Sequence, residues 1–221
     1  MCGRFALYQP ISQHRDHFHV TDDGFDFGPR YNIAPSQAVP IIRADHIGNR
    51  TFQRAQWGLI PSWAKDSDTL PKPINAKSET AAIKPMFRQA FRKSRVLVPA
   101  DAFYEWKPVT GQKQPYLIHL KDGAPFGLGG LLEHWQGPAG EITTFTILTT
   151  AANSLMATIH DRMPVIIAPE NYAEWLDSTV NDVNRLHTMI SPYPECSMEA
   201  YPVSKRVNSP ANEGVELVER L

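Results

Sequence analysis

Cysteine is almost absent from this chain. Cys2 and Cys196 lie at opposite ends and permit one bridge at most, which excludes a disulfide framework and points to a reducing compartment. No apolar run approaches the ~18 residues that a membrane helix requires. The opening MCGRFALYQP carries Arg4 and no long apolar stretch, so it does not read as a secretory signal. Charge of one sign is not in excess either. The formal net charge is −1, so any site for a polyanion has to be local. Repeats and low-complexity tracts are missing too. With 42% hydrophobic and 20% charged residues, the composition is that of a folded globular protein, and the expected location is the cytoplasm.

Proline and glycine are plentiful, nineteen and thirteen in 221 residues, which predicts short elements joined by many turns. Strand-like runs recur at Val39–Arg43, Thr51–Trp57, Val96–Pro99, Phe103–Trp106, Tyr116–Leu120, Thr143–Thr149 and Met163–Ile167, rich in β-branched and aromatic residues. Helical signals are fewer. Residues 78–94 read as a helix bent or delayed by Pro85, Pro169–Trp175 as one opened by proline, and Thr179–Met189 and Ile11–Phe18 as two more. Asp22–Gly28 and Asn208–Gly214 read as surface loops. Strands and helices do not alternate, so the expected fold is α+β: a curved, largely antiparallel, barrel-like sheet with flanking helices. Nothing marks a domain boundary, and residues 1–221 are expected to form one domain.

Positive charge collects in one place. Between Pro71 and Arg95 stand Lys72, Lys77, Lys84, Arg88, Arg92, Lys93 and Arg95 against Glu79 alone. Lys84, Arg88 and Arg92 would share one helix face. Two readings are open: a stripe that tracks phosphates, or a solvated face balanced by acids elsewhere. Trp57, Trp63 and Trp106 lie near this segment, either as platforms for bases or as core.

Cys2 carries the most specific chemistry. A residue as small as cysteine at this position permits removal of Met1, leaving an amine and a thiol on adjacent carbons. The amine condenses with an aldehyde to a Schiff base, and the thiol closes a five-membered thiazolidine. An α-amino group with a pKa of about 7.7–8.0 is already partly neutral at pH 7, and a neighbouring base raises that fraction. The alternative is a small hydrophobe in the core.

MCGRF at the start, RYNIAPSQ at 30–37, WGLIPSW at 57–63, INAKSET at 74–80, PADAFYEW at 99–106, TTAANSLMATIHDRMPVII at 149–167 and VSKRVNSPANEG at 203–214 together resemble the SRAP family (SOS response-associated peptidase-like proteins), whose human and bacterial members shield abasic sites in single-stranded DNA. The resemblance runs in order along essentially the whole chain. It implies that Cys2 forms the crosslink, that Asn75 orients the N-terminal residue and the opened sugar, that Glu105 stands beside the amine, and that His160 assists opening of the deoxyribose. It also implies Arg4, Lys77 and Arg162 as phosphate contacts, with Pro35 and Trp63 near the strand. Read without the family, each of three residues has a plainer alternative: Asn75 a turn, Glu105 a solvent-facing strand position, His160 a partner of Asp161.

The sequence departs from the pattern at Lys77, where arginine is usual, keeping charge but losing the bidentate fork. Ala102 stands where glycine is common, and Lys84–Pro85 where further basic residues are often found. The activity implied is single-turnover crosslinking of abasic single-stranded DNA by a monomer in the DNA damage response, with a secondary β-elimination (lyase) activity. The expected place of action is the nucleoid, and neither a cofactor nor a membrane is implied. Two other functions remain open: a cysteine peptidase using Cys2, His160 and Asn75, if only to remove the chain's first residue, and a noncovalent single-strand binding module. The cluster His14, His17 and His19 has no cysteine nearby and no acidic ligands at a recognisable spacing, so no metal is expected.

Overall fold

A computed structural model describes residues 2–21, 24–67 and 69–221. The expected removal of Met1, and Asp22–Asp23 of the first expected loop, lie outside the described residues.

Five strands close on themselves into a barrel. Gly140–Ala151 pairs with Arg50–Trp57, which pairs with Ala38–Ala44, then Arg95–Ala100, then Phe126–Gly137, which returns to Gly140–Ala151. Only the contact between Gly140–Ala151 and Arg50–Trp57 in this circuit is parallel. Closure leaves the circuit no unpaired edge. Three short strands extend it: Asn75–Lys77 and Arg162–Pro164 on Gly140–Ala151, and Ile166–Ile167 on Phe126–Gly137. A second, wholly antiparallel sheet runs Met198–Pro202, Gln112–Leu120, Ala102–Val109, Phe5–Leu7, Arg30–Ile33. The expected curved, barrel-like, largely antiparallel α+β architecture is therefore what the chain adopts.

The seven expected strands are all present. Met163–Ile167 is split in two at Val165, whose amide still bonds to Leu148 O at 2.9 Å on Gly140–Ala151 while its carbonyl accepts from the Gly129 amide at 2.9 Å, passing the chain on to Phe126–Gly137. The long strand Phe126–Gly137 is not among the expected runs; its FGLGG start is rich in glycine, which strand interiors disfavour. Its glycines serve close packing: a Cβ on Gly130 would stand 2.9 Å from Val96 Cγ2. The helix expected over 78–94 is two short ones, Ser78–Ala81 and Arg88–Lys93, with Pro85 between them. Thr179–Met189 shortens to Val183–Thr188, because Asp182 caps it by accepting from the Asn184 and Arg185 amides. Pro169–Trp175 opens as a 3-10 turn, Pro169–Asn171, before the helix Tyr172–Leu176. Ile11–Phe18 is a helix as expected.

Two packed groups hold the sheets in register. Trp57 is buried, lies edge-on to Phe5 of the second sheet at 5.3 Å between ring centres, and stacks on Phe145 at 6.2 Å. It is core, which removes it from the aromatic residues that could meet a base. Its indole donates to Ile74 O at 2.8 Å, fixing the chain immediately before Asn75. On the other side Asp101 is buried and accepts from the amides of Tyr8 (2.5 Å) and Gln9 (2.8 Å), with His14 Nε2 3.1 Å from its other oxygen. That carboxylate ties the turn after Phe5–Leu7 to the start of Ala102–Val109.

The charged stretch divides. Arg95 is buried and donates to the carbonyls of Phe91, Arg92, Trp175, Asp177 and Val180. Burial pulls its pKa down to about 10. It is an internal clamp, so the exposed basic surface of the stretch is Lys72, Lys77, Lys84, Arg88, Arg92 and Lys93.

Candidate functional site

The site forms where the two sheets meet. Phe5 pairs with Phe103 and Ala6 with Ala102, and the Tyr104 amide donates to Arg4 O at 2.9 Å. This antiparallel register carries the segment before Phe5 alongside Tyr104 and Glu105. From the barrel side, Asn75–Lys77 is laid parallel to Ile147–Thr149. Asn75 Nδ2 donates to Cys2 O at 2.8 Å. One hydrogen bond thus joins the second sheet's first residues to the barrel. Asn75 Oδ1 is buried and has no partner among the described residues, so an acceptor is left over at that point.

Cys2 has no exposed surface. Burial first, and the charge of Glu105 second, push its thiol up to about 12, and the bond from the Arg4 amide offsets only part of this. Glu105 is 2% exposed. Strand alternation allowed a solvent-facing carboxylate, but Phe103, Tyr104 and Glu105 are all buried in turn.

Glu105, Trp106, Lys113, His160 and Asn208 line a cleft of about 470 Å³. His160 follows the short helix Ser154–Ala157. Its Nδ1 stands 2.8 Å from Asp161 Oδ1 and accepts from the Arg162 amide at 3.0 Å. The plainer reading of His160, as a partner of Asp161, is thus present, and the ring nevertheless lines the cleft. Trp106 Nε1 donates to Asn208 Oδ1 at 2.7 Å, fixing the wall opposite. The sequence leaves Trp106 open as either a platform for bases or core, and it lines the cleft; Lys113 and Asn208 are not singled out there as site residues. The only signal for Lys113 was its place in the hairpin after FYEW.

The residues expected to touch DNA are placed unevenly. Lys77 is exposed, two strand positions after Asn75 and so on the same face. Arg162, on the short strand along the other edge of Gly140–Ala151, forms a bidentate pair with Glu79 at 2.5 and 2.9 Å and donates to Thr149 O at 2.6 Å. Arg4 is 9% exposed, donates from Nη1 to Asn32 Oδ1 and Val207 O at 2.6 Å each, and lies over Trp106 at 5.8 Å. Asn32 in turn donates to the carbonyls of Ser209 and Asn212 at 2.9 Å. The RYN and VSKRVN segments therefore meet through Arg4 and Asn32. Trp63 is 56% exposed and Pro35 half-buried. Among the described residues neither bonds to the Cys2 group. The three histidines diverge: His14 to Asp101, His17 to the Tyr172 hydroxyl at 3.3 Å, and His19 at the helix end with φ 51°.

The family model described as SOS response associated peptidase (SRAP) matches residues 1–210, and the chain belongs to that family. It is 44% identical to the abasic site processing protein YoqW of Bacillus subtilis, over 99% of each chain. It is 31% identical to the abasic site processing protein YedK of Escherichia coli, again over 99% of each. A crystal structure of a protein from Bacteroides thetaiotaomicron superposes with a TM-score of 0.89 over the whole of both chains at 26% identity. No helix among the described residues is long and apolar enough to cross a membrane.

Proposed function

We propose that this protein handles abasic sites in single-stranded DNA by covalent capture through Cys2. Its relatives are named for abasic site processing, and the contact that carries the reading is the 2.8 Å bond from Asn75 to Cys2 O. It fixes the residue whose amine and thiol do the chemistry near Glu105, a carboxylate that lines one cleft with His160.

Once Met1 is removed, the Cys2 amine attacks the aldehyde carbon of the ring-opened deoxyribose. The carbinolamine loses water to give an imine. Cys2 Sγ then adds to the same carbon while its proton passes to nitrogen, closing a thiazolidine; the balance is one aldehyde and one aminothiol to one ring and one water. Glu105 accepts the ammonium proton that blocks attack. His160, which lines the cleft, passes the proton that opens the sugar. Asn75 Oδ1 supplies an acceptor for the freed sugar hydroxyl. Lys77 and Arg162 meet the flanking phosphates, Arg4 braces the segment behind Cys2, and Trp63 and Pro35 border the strand. The whole chain, 1–221, acts as one domain and as a monomer. Before ring closure the imine can also lose the 3′-phosphate by β-elimination, which gives a slow lyase activity.

A peptidase built on Cys2 draws less support. A nucleophilic thiol needs its pKa lowered, whereas burial raises this one.

The test is incubation of the purified protein with single-stranded DNA holding one abasic site, read by denaturing gel and intact mass. The expected adduct is heat-stable, begins at Cys2, is absent with undamaged DNA and is abolished by Cys2→Ala. Crosslinking that survives Cys2→Ala rejects the proposal. Lesion-independent, salt-sensitive retention with no adduct, from protein confirmed to begin at Cys2, would leave a noncovalent binding module.

A further inference from the structure

Glu79 is the one acid in the basic stretch between Pro71 and Arg95, and it does not face away from the site. It follows Asn75–Lys77 in the helix Ser78–Ala81 and reaches across to Arg162, pairing both carboxylate oxygens with the two terminal nitrogens at 2.5 and 2.9 Å. Arg162 has little freedom to turn elsewhere. Its side chain is 15% exposed against 50% for Glu79, and its second terminal nitrogen is also bound to Thr149 O. The hydrogen bond from Arg162 is the main cause holding the Glu79 carboxyl below its ordinary value, and the charge of Lys77 adds to it. Glu79 therefore remains ionised at neutral pH and faces two cations at once.

A carboxylate engaging an arginine through two oxygens occupies the fork that a phosphate would take. We propose that Glu79 is a specificity-determining residue: it competes with a backbone phosphate for Arg162 and so keeps binding to undamaged single strands weak, leaving the Arg162 phosphate contact to the captured strand. Retention of the protein is then decided by the covalent step at Cys2, not by charge. This rests on the reading that single-stranded DNA is the ligand, and it concerns the noncovalent encounter alone.

The physical consequence is a change in counterion release. With Glu79 neutralised, Arg162 becomes available to one phosphate, and each phosphate neutralised on a single strand adds about 0.7 to the slope of log affinity against log salt. The experiment is equilibrium binding of a fluorescently labelled, undamaged single strand to the full-length protein over a salt series. Glu79→Gln is expected to tighten binding several-fold at low salt and to steepen the slope by about 0.7. Adding Arg162→Gln to Glu79→Gln is expected to remove both gains. Unchanged or weaker binding by Glu79→Gln overturns the proposal, and so does a gain that persists without Arg162, since it would then be a general effect of charge. The wild-type adduct assay on abasic DNA is run alongside. No adduct together with the Glu79→Gln gain rejects the covalent chemistry and keeps this assignment; an adduct without the gain does the reverse.

Discussion

Cys2 Sγ has no contact with solvent, and burial followed by the charge of Glu105 raises its pKa to about 12 from the 9.0 of an ordinary thiol. Three pH units make the thiolate about a thousandfold rarer, so the amine, not the sulfur, opens the reaction in the proposed sequence. The sulfur enters as a neutral thiol whose proton goes to the imine nitrogen. Cys196 is exposed and provides an internal standard. At pH 8, iodoacetamide should alkylate Cys196 at least about tenfold faster than Cys2 in the folded protein, with the difference lost in denaturant; peptide mass mapping reads both sites. Equal rates in the fold would mean that Cys2 is not shielded as described. At this scale the sequence was legible through residue type and motif, but not through environment. Period-two alternation left Glu105 open to solvent, because it presumes one wet face. Both faces of Ala102–Val109 are covered near Glu105, one by the barrel core and the other by Tyr104's neighbours Val203, Val207 and Leu217.

Elements carry the site residues to their places, and the segment bearing Trp63 shows how. Three side chains each hold one backbone group of it: Thr144 Oγ1 accepts from the Ile60 amide at 2.9 Å, Glu133 Oε2 from the Ser62 amide at 3.2 Å, and Trp135 Nε1 donates to Ala64 O at 2.7 Å. Ile60, Ala64 and Trp135 pack together beneath. The turn is fixed while the Trp63 ring stays exposed, an arrangement suited to stacking on a base. Trp63→Ala should weaken single-strand binding by about 1–3 kcal/mol with an unchanged melting temperature, by fluorescence anisotropy and thermal melts. Trp135→Phe leaves Ala64 O unpaired and should lower stability by about 1–3 kcal/mol. If binding is indifferent to Trp63→Ala, this surface is not a stacking platform. Strands with β-branched and aromatic runs were readable in advance. Phe126–Gly137 was not, because its glycines answer to neighbours in the closed barrel, such as Val96, that local pattern cannot show. Three-residue Asn75–Lys77 has no periodicity of its own and exists because Gly140–Ala151 offers it a partner.

Across the whole molecule, closing a barrel against a second sheet puts several titratable groups where only their neutral forms are comfortable. Burial raises the Cys2 thiol and the Tyr8 hydroxyl to about 12 each, and raises Tyr104 and Tyr172 as well. In the unfolded chain these groups release protons near their ordinary values, 9.0 for the thiol and 10.0 for tyrosine. Folded, they keep them. From about pH 9 upward the folded state therefore binds more protons than the unfolded one, and stability falls as pH rises. The contribution is complete below pH 9 and lost progressively as pH climbs through about 12. Arg95 acts in the opposite sense, since burial lowers it to about 10: the unfolded chain then holds the extra proton. That effect starts near pH 10 and is shared by Arg4 and Arg50, which burial also lowers, while burial of Tyr193 and Tyr201 adds to the opposing four. Urea midpoints followed by tryptophan fluorescence should accordingly decline from pH 8 to pH 11, and Cys2→Ala should decline less steeply between pH 9 and pH 10, where the thiol is the first of the four to titrate. A flat or rising midpoint would mean that these groups are not buried in the neutral form. A Cys2→Ala slope identical to wild type would take Cys2 out of the set and, with it, the solvent-free thiol on which the order of the proposed reaction depends.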